Sequence, residues 1–565
     1  GPDQSHYPTP PASGPDQRYY PTSPASGPDQ RYYPTPPASG PNQPYYPPPP
    51  ASGPDQPYYP PPLASGSDIY LSNPYLLAPP PRKAGPAKKI IAGVGVVAVL
   101  AGGAVAAYAY TVLASGGIQP ERVLPATTVA FAKLDLDPAA GQKIAAYRLS
   151  AKFPAISKGA SNLDEEKHAI LSEFFGDESD LDYTTEIKPW LGDRIAVAAV
   201  PDSGSDSGLD PVLAVAYTNE AKMKAAFSKV ARTEPDFGYA TIDGYALVSD
   251  SQQHAEAVLA GVRRATLANA EHYRSDLKSL HGDQIAVGWA DLAATVAALK
   301  AGTHSGSSTR LDDLDRLNSL PAKGRIVIGA HANSDYLEVS AVSHQELTGA
   351  PRAAGKPVNG TLAKLAAADT SAALEVTGLG DSLSEAWNGA SAVLGLGEDF
   401  QDLIDETGLQ LPGDLAALFG TDATLSMRMP QGVSGEPEIA AQVSTSGGAR
   451  ALQLLDSLGR PFGFPSENLH ARLTADGYLL STSAGYDPRP QPGALTLGAD
   501  PTFQKAVPDR AGAGLIGYVN IGAILDADPE ATAKDKSDWK HLGAVGLTVV
   551  PTSDGSRMTL RLTTR

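Results

Sequence analysis

Two groups of acidic residues offer the carboxylate oxygens that a calcium ion binds. The first lies in the segment PDSGSDSGLDP and consists of Asp202, Asp206 and Asp210. The second consists of Asp177, Glu178, Asp180 and Asp182. Neither group follows the EF-hand pattern, and glycine and serine between carboxylates are typical of loops. We therefore interpret both groups as solvated loops and assign no metal ligand and no cofactor.

The chain also contains fragments of catalytic motifs, none of them complete. Its ten histidines include no H-E-x-x-H pair for zinc. Ser275 with Lys278, and Ser537 with Lys540, match the S-x-x-K motif of penicillin-recognising enzymes, but the S-D-N and K-T-G motifs that accompany it are missing. Residues 395–397, Gly-Leu-Gly, are too short for a dinucleotide-binding loop. We predict no catalytic residue and do not expect an enzyme.

Composition narrows the classes of protein further. Residues 1–89 carry five aspartates against six lysines and arginines, whereas the whole chain of 565 residues has a net charge of −18. Residues 90–565 therefore carry a net charge of −19, which argues against nucleic-acid binding. The chain has no cysteine, which excludes disulfides, thiolate metal sites and a cysteine nucleophile.

A single transmembrane helix is predicted over residues 90–113, a stretch of 24 residues without a charge. A bilayer core needs roughly 20 such residues in helical form. Four basic residues shortly precede it, namely Arg82, Lys83, Lys88 and Lys89. By the positive-inside rule we expect a cell-membrane protein with a cytoplasmic N-terminal tail and an extracytoplasmic C-terminal domain. A cleaved signal peptide is the alternative, although its apolar region is shorter and follows a short charged leader.

Small residues form a ridge along this predicted helix at Ala98, Gly102 and Ala106. Such spacing lets two membrane helices approach closely, so a homodimer through these residues is one hypothesis. Membrane helices rich in alanine and glycine also show this spacing by chance, and a monomeric anchor is the alternative.

The tail, residues 1–89, is a proline-rich repeat. Units of 13 residues such as GPDQRYYPTPPAS begin at Gly1, Gly14, Gly27, Gly40 and Gly53. Frequent proline removes backbone donors and fixes φ, so we predict a disordered region in extended conformations. Tyrosine pairs recur in the units and suit weak multivalent contacts, for which a plain solvated spacer is the alternative.

The outer domain shows two runs of similar elements. The tripeptide Asp-Gly-Tyr occurs at residues 243–245 and 476–478, each time between two strand-like runs, and Asp-Gly favours a hairpin turn. Strands followed by amphipathic helices recur around both at similar offsets. We predict an α+β fold of two tandem repeats, each with a mostly antiparallel sheet covered by helices. The repeats comprise residues 121–344 and 361–565, joined by the linker 345–360.

Two segments carry a resemblance to a known family. PATTVAFAKLDLDPAAGQKIAAYRLSAKFP, residues 125–154, and IKPWLGDRIAVAAVP, residues 187–201, resemble the start of an uncharacterised actinobacterial family of single-pass membrane proteins. The resemblance extends over roughly residues 80–565. It implies a low-complexity tail, one membrane helix and an extracytoplasmic domain of unknown function, and it implies no activity, cofactor or catalytic residue.

Charged and polar residues cluster where the first of these segments passes from strand to helix. The strand carries Lys133, Asp135 and Asp137, and the helix carries Gln142, Lys143 and Arg148. We interpret them as charge pairs at the corner between the two elements, and a binding site is the alternative.

Three functions remain open from the sequence. The first is a non-enzymatic cell-envelope protein whose duplicated extracytoplasmic domain binds a protein or a cell-wall component. The second is a carrier of an apolar ligand such as a lipid, which predicts a continuous apolar cavity in a cleft between the halves. The third is a hydrolase without a recognisable motif, which requires titratable side chains that converge in a cleft.

Overall fold

The computed structural model describes residues 118–135, 140–152, 181–202, 205, 208–233, 237–303, 324–344, 357–394, 404, 407–429, 436–459, 469–528 and 531–565. The predicted disordered tail, the predicted transmembrane helix and most of the predicted linker lie outside these residues. Their structure therefore stays a prediction. In the described part of the chain, no helix combines the length and the apolar character needed to span a bilayer.

The first half of the described chain contains eight strands, five α-helices and a short π-helix, Tyr183–Ile187. The strands are β1 (Ala130–Asp135), β2 (Leu191–Pro201), β3 (Leu209–Tyr217), β4 (Gly238–Ile242), β5 (Tyr245–Ser249), β6 (Ala286–Asp291), β7 (Arg325–Ala332) and β8 (Tyr336–His344). The helices are α1 (Ala140–Ala151), α2 (Glu220–Thr233), α3 (Gln252–Arg264), α4 (Glu271–Lys278) and α5 (Leu292–Thr303).

The second half repeats the order of the strands, and its helices differ from those of the first half in number and length. Its strands are β9 (Ala372–Thr377), β10 (Asp422–Arg428), β11 (Glu438–Ser444), β12 (His470–Thr474), β13 (Gly477–Ser481), β14 (Leu515–Val519), β15 (Leu542–Thr552) and β16 (Gly555–Thr564). Its helices are α6 (Leu379–Leu394), α7 (Gly413–Phe419), α8 (Gly448–Gly459), α9 (Pro501–Ala506), α10 (Ile521–Ala527) and α11 (Ala533–Asp538).

The sixteen strands of the described residues form one antiparallel sheet in the order β12-β13-β11-β10-β9-β14-β15-β16-β8-β7-β6-β1-β2-β3-β5-β4. Outward from the central pair β16 and β8, the second set of eight strands repeats the order of the first. The antiparallel sheet with helices confirms the predicted α+β class. The sequence predicts a sheet in each half, whereas β8 and β16 pair over nine positions and merge the two.

Helices cover both faces of the sheet in the first half. We call the face that carries Phe131 the back face and the opposite one the front face. On the back face the ring of Phe131 lies 5.8 Å from that of Tyr273, and the ring of Tyr273 lies 5.6 Å from that of Trp289, between centroids. On the front face α2 packs with Met223 and Phe227, both fully buried. Burial on both sides explains why strands such as β2 are apolar at almost every position.

The two predicted Asp-Gly turns differ in detail. Asp243 and Gly244 form the turn between β4 and β5 with φ values of 48° and 80°, as predicted. In the second half residues 475–476 form the turn, and Gly477 already belongs to β13. Glycine is required there because a Cβ would lie 2.0 Å from the backbone oxygen of Val443.

Candidate functional site

The aspartates of the segment PDSGSDSGLDP do not share one solvated loop. Asp202 follows the end of β2, Asp210 lies within β3, and Asp206 falls outside the described residues. Asp210 is buried, with 2% of its surface exposed. The interpretation of Asp210 as a residue of a solvated loop is therefore wrong.

Asp202 and Asp210 meet a histidine and a third carboxylate from a later part of the chain. His254 Nε2 lies 2.9 Å from Asp202 Oδ2, and His254 Nδ1 lies 2.5 Å from Asp250 Oδ1. The same Nδ1 lies 3.9 Å from Asp210 Oδ1, which accepts a hydrogen bond from Ser249 Oγ at 2.5 Å. Three carboxylates thus surround one imidazole. We refer to Asp202, Asp210, Asp250 and His254 as the Asp–His cluster.

The corner between β5 and α3 positions two members of this cluster. Ser251 is the N-cap of α3, and its side chain accepts a hydrogen bond from His254 N at 3.1 Å. Asp250 and His254 are four residues apart, so their side chains meet across the first helical turn. Gly238 lets β4 approach the corner, because a Cβ there would lie 2.1 Å from Gln252 N.

Burial and charge both change the protonation of the cluster. Burial raises the pKa of Asp210 to about 6, although the hydrogen bond from Ser249 lowers it. The charge of Asp250 adds to the rise. Burial disfavours the charged form of His254, but the hydrogen bond and charge of Asp250 outweigh it and raise the pKa of His254. The ring therefore keeps its proton to a higher pH than a free histidine does.

The Asp–His cluster has the donor atoms of a metal site and the connections of an ion-pair network. Asp210, Asp250 and His254 bring one ligand atom each to within 4.8 Å of one another. Carboxylate with imidazole is a donor set that suits Mn²⁺, Fe²⁺ or Zn²⁺. Both ring nitrogens face carboxylates, so a cation must replace the ring proton to bind there. The protonated network instead ties the turn between β2 and β3 to the first turn of α3.

Sequence reasoning missed Asp250 and His254. The local signal was D-S-Q-Q-H, in which an acidic residue and a histidine flank an N-cap serine at a spacing of one helical turn. Nothing local links this segment to Asp202. The two meet because β5 pairs with β3, which in turn pairs with β2.

The charged residues at the first strand-to-helix corner form ion pairs, but not with one another across the corner as interpreted, because their partners lie outside the strand and its following helix. Lys133 Nζ lies 2.8 Å from Glu121 Oε1, and Asp135 Oδ1 lies 3.3 Å from Arg194 Nε. Arg148 is exposed. Asp137 and the side chain of Lys143 lie outside the described part. The ion pairs hold β1 to its neighbours, so this corner is structural.

The other residues singled out in the sequence lie on the surface. In both S-x-x-K segments the serine and the lysine are exposed. Ser275, Lys278 and Ser537 lie on helices as predicted, and Lys540 follows the end of α11. Of the second acidic group, Asp182 is described and caps the π-helix by accepting a hydrogen bond from Thr185 N at 2.7 Å. The rest of that group and residues 395–397 lie outside the described chain.

A second candidate surface lies on the front face of the second half. Six neighbouring strands, β11, β10, β9, β14, β15 and β16, present three rows of six residues there. The pairing registers give these rows as Ala441, Leu425, Leu374, Gly517, Leu547 and Leu560; Ile439, Met427, Ala372, Val519, Val545 and Leu562; and Val443, Ala423, Val376, Leu515, Val549 and Met558. All eighteen residues are apolar. We call them the apolar face.

Six large side chains of the apolar face are exposed. Their exposed fractions are 47% for Leu425, 40% for Ile439, 39% for Leu560, 38% for Leu374 and Met558, and 37% for Val519. The back face of the same strands instead carries buried polar residues, including Glu375, Thr424, Ser426, Thr548, Thr559 and Thr563. The back face also carries the buried apolar side chains of Ala373, Ile516 and Tyr518, so it is the covered face of these strands, whereas the front face is apolar and partly exposed.

Helices border the apolar face on both sides. At one end α8 packs on Val443 with the buried side chain of Leu454. At the other end α1 lies over β7, where Gln142 Oε1 accepts a hydrogen bond from Ala332 N at 2.9 Å. Beyond α1, Lys152 Nζ donates to the hydroxyl of Thr564 on β16 at 2.8 Å. The apolar face is thus the floor of a groove between two helices.

The junction between the halves is a strand ladder. Across the pair of β8 and β16, Arg561 Nε donates to Glu338 Oε2 at 2.9 Å, and Glu338 is buried. His344 Nδ1 lies 2.9 Å from Asp554 Oδ2, and its Nε2 lies 3.3 Å from the buried Asp276. The carrier hypothesis predicts an apolar cavity in a cleft between the halves, and this junction is a hydrogen-bonded and charged pairing instead.

Comparison with known proteins identifies one domain in the chain. The family described as a protein of unknown function (DUF3352) matches residues 90–236. The match includes the predicted transmembrane helix and strands β1 to β3, with Asp202 and Asp210, and it ends before the apolar face begins. No curated protein and no solved structure matches the chain. The chain therefore contains a domain of unknown function, in agreement with the uncharacterised family that its sequence resembles.

Proposed function

We propose that this protein is a non-enzymatic, single-pass membrane protein of the cell envelope whose extracytoplasmic domain binds a partner through the apolar face. The observation that supports this most strongly is the exposed apolar face of the second half. Six large apolar side chains are exposed there, while polar side chains of the same strands are buried. Such a face is unfavourable in water and gains stability when a partner covers it.

The size of the apolar face suits specific, reversible binding. With strands about 4.8 Å apart and rows about 6.6 Å apart, its outermost residues span roughly 24 by 13 Å. Covering it buries at most about 300 Å² on each partner, which is the size of a small, transient interface.

The membrane anchor and its orientation are proposed from residues 90–113 and from the basic residues that precede them. Protease added to intact cells is expected to digest the C-terminal domain and to leave the tail intact. Digestion of the tail with survival of the C-terminal domain would reverse the proposed orientation.

Photo-crosslinking in intact cells tests the binding surface. p-Benzoylphenylalanine in place of Leu425 is expected to form adducts, whereas the same replacement of Leu495, which is 52% exposed outside the apolar face, is not. Leu374 pairs with Leu425, and Leu374→Asp should reduce the adduct about fivefold or more, because burying an unpaired carboxylate is costly. Equal adducts at positions 425 and 495, or none at 425, would contradict the proposal.

An apolar ligand such as a lipid is the second candidate for the same surface, because acyl chains also bury apolar area. This candidate predicts that the adduct at Leu425 adds the mass of a lipid and no protein. Mass spectrometry of the purified adduct distinguishes the two.

A further inference from the structure

We propose that the occupant of the apolar face is a single α-helix of a partner protein that lies beside α1. This rests on the proposed function, because it names what the apolar face binds. The central row of the face does not end at β16. The pairing registers continue it into the first half through Val339, Ala330, Ala286 and Leu134.

In the first half the middle of that row is buried and a helix lies next to it. Ala330 and Ala286 are 1% and 7% exposed, and α1 contacts β7. In the second half Leu374 and Leu425, on the same row of the same sheet, are 38% and 47% exposed. One continuous row is therefore buried where α1 contacts its strands and partly exposed in the second half.

The chain's own counterpart of α1 packs elsewhere. α6 follows β9 as α1 follows β1, but α6 packs against α7. Its beginning is fixed there, because Gly380 N donates to the backbone oxygen of Gly420 at 3.0 Å. A Cβ at Gly380 would lie 2.7 Å from the same oxygen, so the contact requires glycine. The position that α1 takes in the first half is left for a helix from another protein.

The helices that border the apolar face favour a narrow occupant. A helix with its side chains is about 10 Å thick, and two sheets pack face to face at about 10 Å. The flat sheet of a second copy would therefore meet α1 and α8 before it reached the floor of the groove. A helix fits between them. Crossing the six strands, about 24 Å, takes about 16 helical residues at 1.5 Å each.

Gly517 provides a notch for a side chain of that helix. It lies at the centre of the face, where a Cβ would be 3.4 Å from Leu547 Cβ and 3.9 Å from Leu374 Cδ1. If a residue of the partner helix fills this notch, the residues on the same face of that helix lie three, four and seven positions away along its sequence. The partner is therefore an amphipathic helix with an apolar stripe at this spacing.

Mapping photo-crosslinks by mass spectrometry tests the helix. p-Benzoylphenylalanine replaces Leu374, Leu425 or Leu560 in the full chain in intact cells, and the crosslinked partner residues are identified. Spacings of three or four residues are expected. The proposal of a partner helix would be overturned by any of four results: an adduct with a lipid, an adduct with a second copy of this chain, crosslinked partner residues spaced by two, or a crosslink to residues 395–403 of the same chain. The first three outcomes leave the apolar face as a binding surface, whereas a crosslink to residues 395–403, or no adduct at any position, would overturn the proposed function as well.

Gly517→Val tests the notch, because valine fills it and keeps the face apolar. Ala441→Val enlarges a residue at the margin of the same row and is the matched control. We expect about a tenfold loss of the adduct at position 374 with Gly517→Val and less than about a twofold loss with Ala441→Val. Thermal unfolding checks that both variants are folded. Equal losses in the two variants, or no loss in either, would overturn the helix in the notch.

Discussion

Glu375 has a second buried carboxyl group beside it. It accepts hydrogen bonds from Thr361 N at 2.7 Å and Leu362 N at 3.2 Å. Asp422, diagonally across on β10, accepts one from Asn359 N at 3.0 Å. Burial and then the charge of Asp422 raise the pKa of Glu375 to about 7, and burial raises the pKa of Asp422. The pair therefore holds a proton and anchors the chain where it enters the second half.

The free energy of unfolding is expected to depend on pH through Glu375. A carboxyl whose pKa is raised by folding stabilises the folded state fully below its unfolded pKa of 4.5, and this contribution is lost as the pH rises to about 7. Glu375→Gln keeps a neutral hydrogen-bonding group, so this variant should gain about 2 kcal/mol over the wild type between about pH 5 and pH 8. Denaturant unfolding at each pH measures the gain.

Glu385→Gln, at an exposed glutamate of α6, is the matched control and should show no such gain. A difference between Glu375→Gln and wild type that stays constant over this pH range would contradict the shared proton.

At the scale of elements, the Asp–His cluster joins the turn between β2 and β3 to α3. Burial disfavours the charged form of His254, but Asp250 outweighs this effect and raises the pKa of His254. The stability that His254 contributes is therefore present below pH 6.5 and is lost as the pH rises through the folded pKa. The raised pKa of Asp210, mainly from burial, acts in the same direction between pH 3.8 and about 6. Alkaline conditions should therefore loosen the turn.

Hydrogen exchange at the amide of Asp202, which donates to the backbone oxygen of Gly208 across the turn at 3.0 Å, measures this loosening. After correction for intrinsic rates, its protection should fall between about pH 6 and pH 8.5 in the wild type and change little in His254→Gln. Tyr245, which follows the hairpin turn between β4 and β5, is the internal reference. Loss of protection at Asp202 that is the same in both proteins would show that the cluster does not hold the turn.

The alternation of β15 shows what a strand pattern can and cannot predict. Val545, Leu547 and Val549 alternate with Gly546 and Thr548, which correctly indicates one apolar and one polar face. The pattern does not say which face the helices cover. Here α9 covers the polar side, where a Cβ at Gly546 would lie 2.1 Å from the backbone oxygen of the last residue of α9. The exposed apolar face was therefore not predictable from the strand alone.

At the scale of the whole molecule, the pairing of β8 with β16 joins the two halves of the described chain into one sheet. Arg561 bonds to the buried Glu338 across this pair and stacks over the ring of Tyr336, 4.0 Å from its centroid. Removing one member of a buried ion pair leaves the other charge unpaired. Arg561→Ala is therefore expected to cost about 3 kcal/mol and to lower one common unfolding transition of both halves.

Differential scanning calorimetry measures that transition. The double variant Arg561→Leu with Glu338→Leu removes both charges and should recover most of the loss. Two separate transitions in the wild-type protein would show that the halves unfold independently.

Sequence patterns predicted the repeated order of strands and helices better than the way the halves combine. Hairpins depend on neighbouring residues, so the turn at residues 243–244 was recognisable. The pairing of β8 with β16 joins residues more than 200 positions apart, and neither strand carries a local mark of its partner. Asp202 and His254 meet through the intervening pairings of β2, β3 and β5, and no local pattern shows this. The sequence also predicted a cleft between the halves, where the structure has a continuous sheet.

The position of β16 has a consequence for synthesis. β8 is complete once residue 344 has been made. One of its two edges pairs with β7, and the other pairs with β16, whose residues 555–564 come last among the described strands. Until then a growing chain exposes the unpaired backbone of β8, which is open to pairing with other chains. Chains released before β16 is made would lack this partner strand and could pair β8 with another molecule. Such chains would be a source of intermolecular strand pairing and substrates for chaperones.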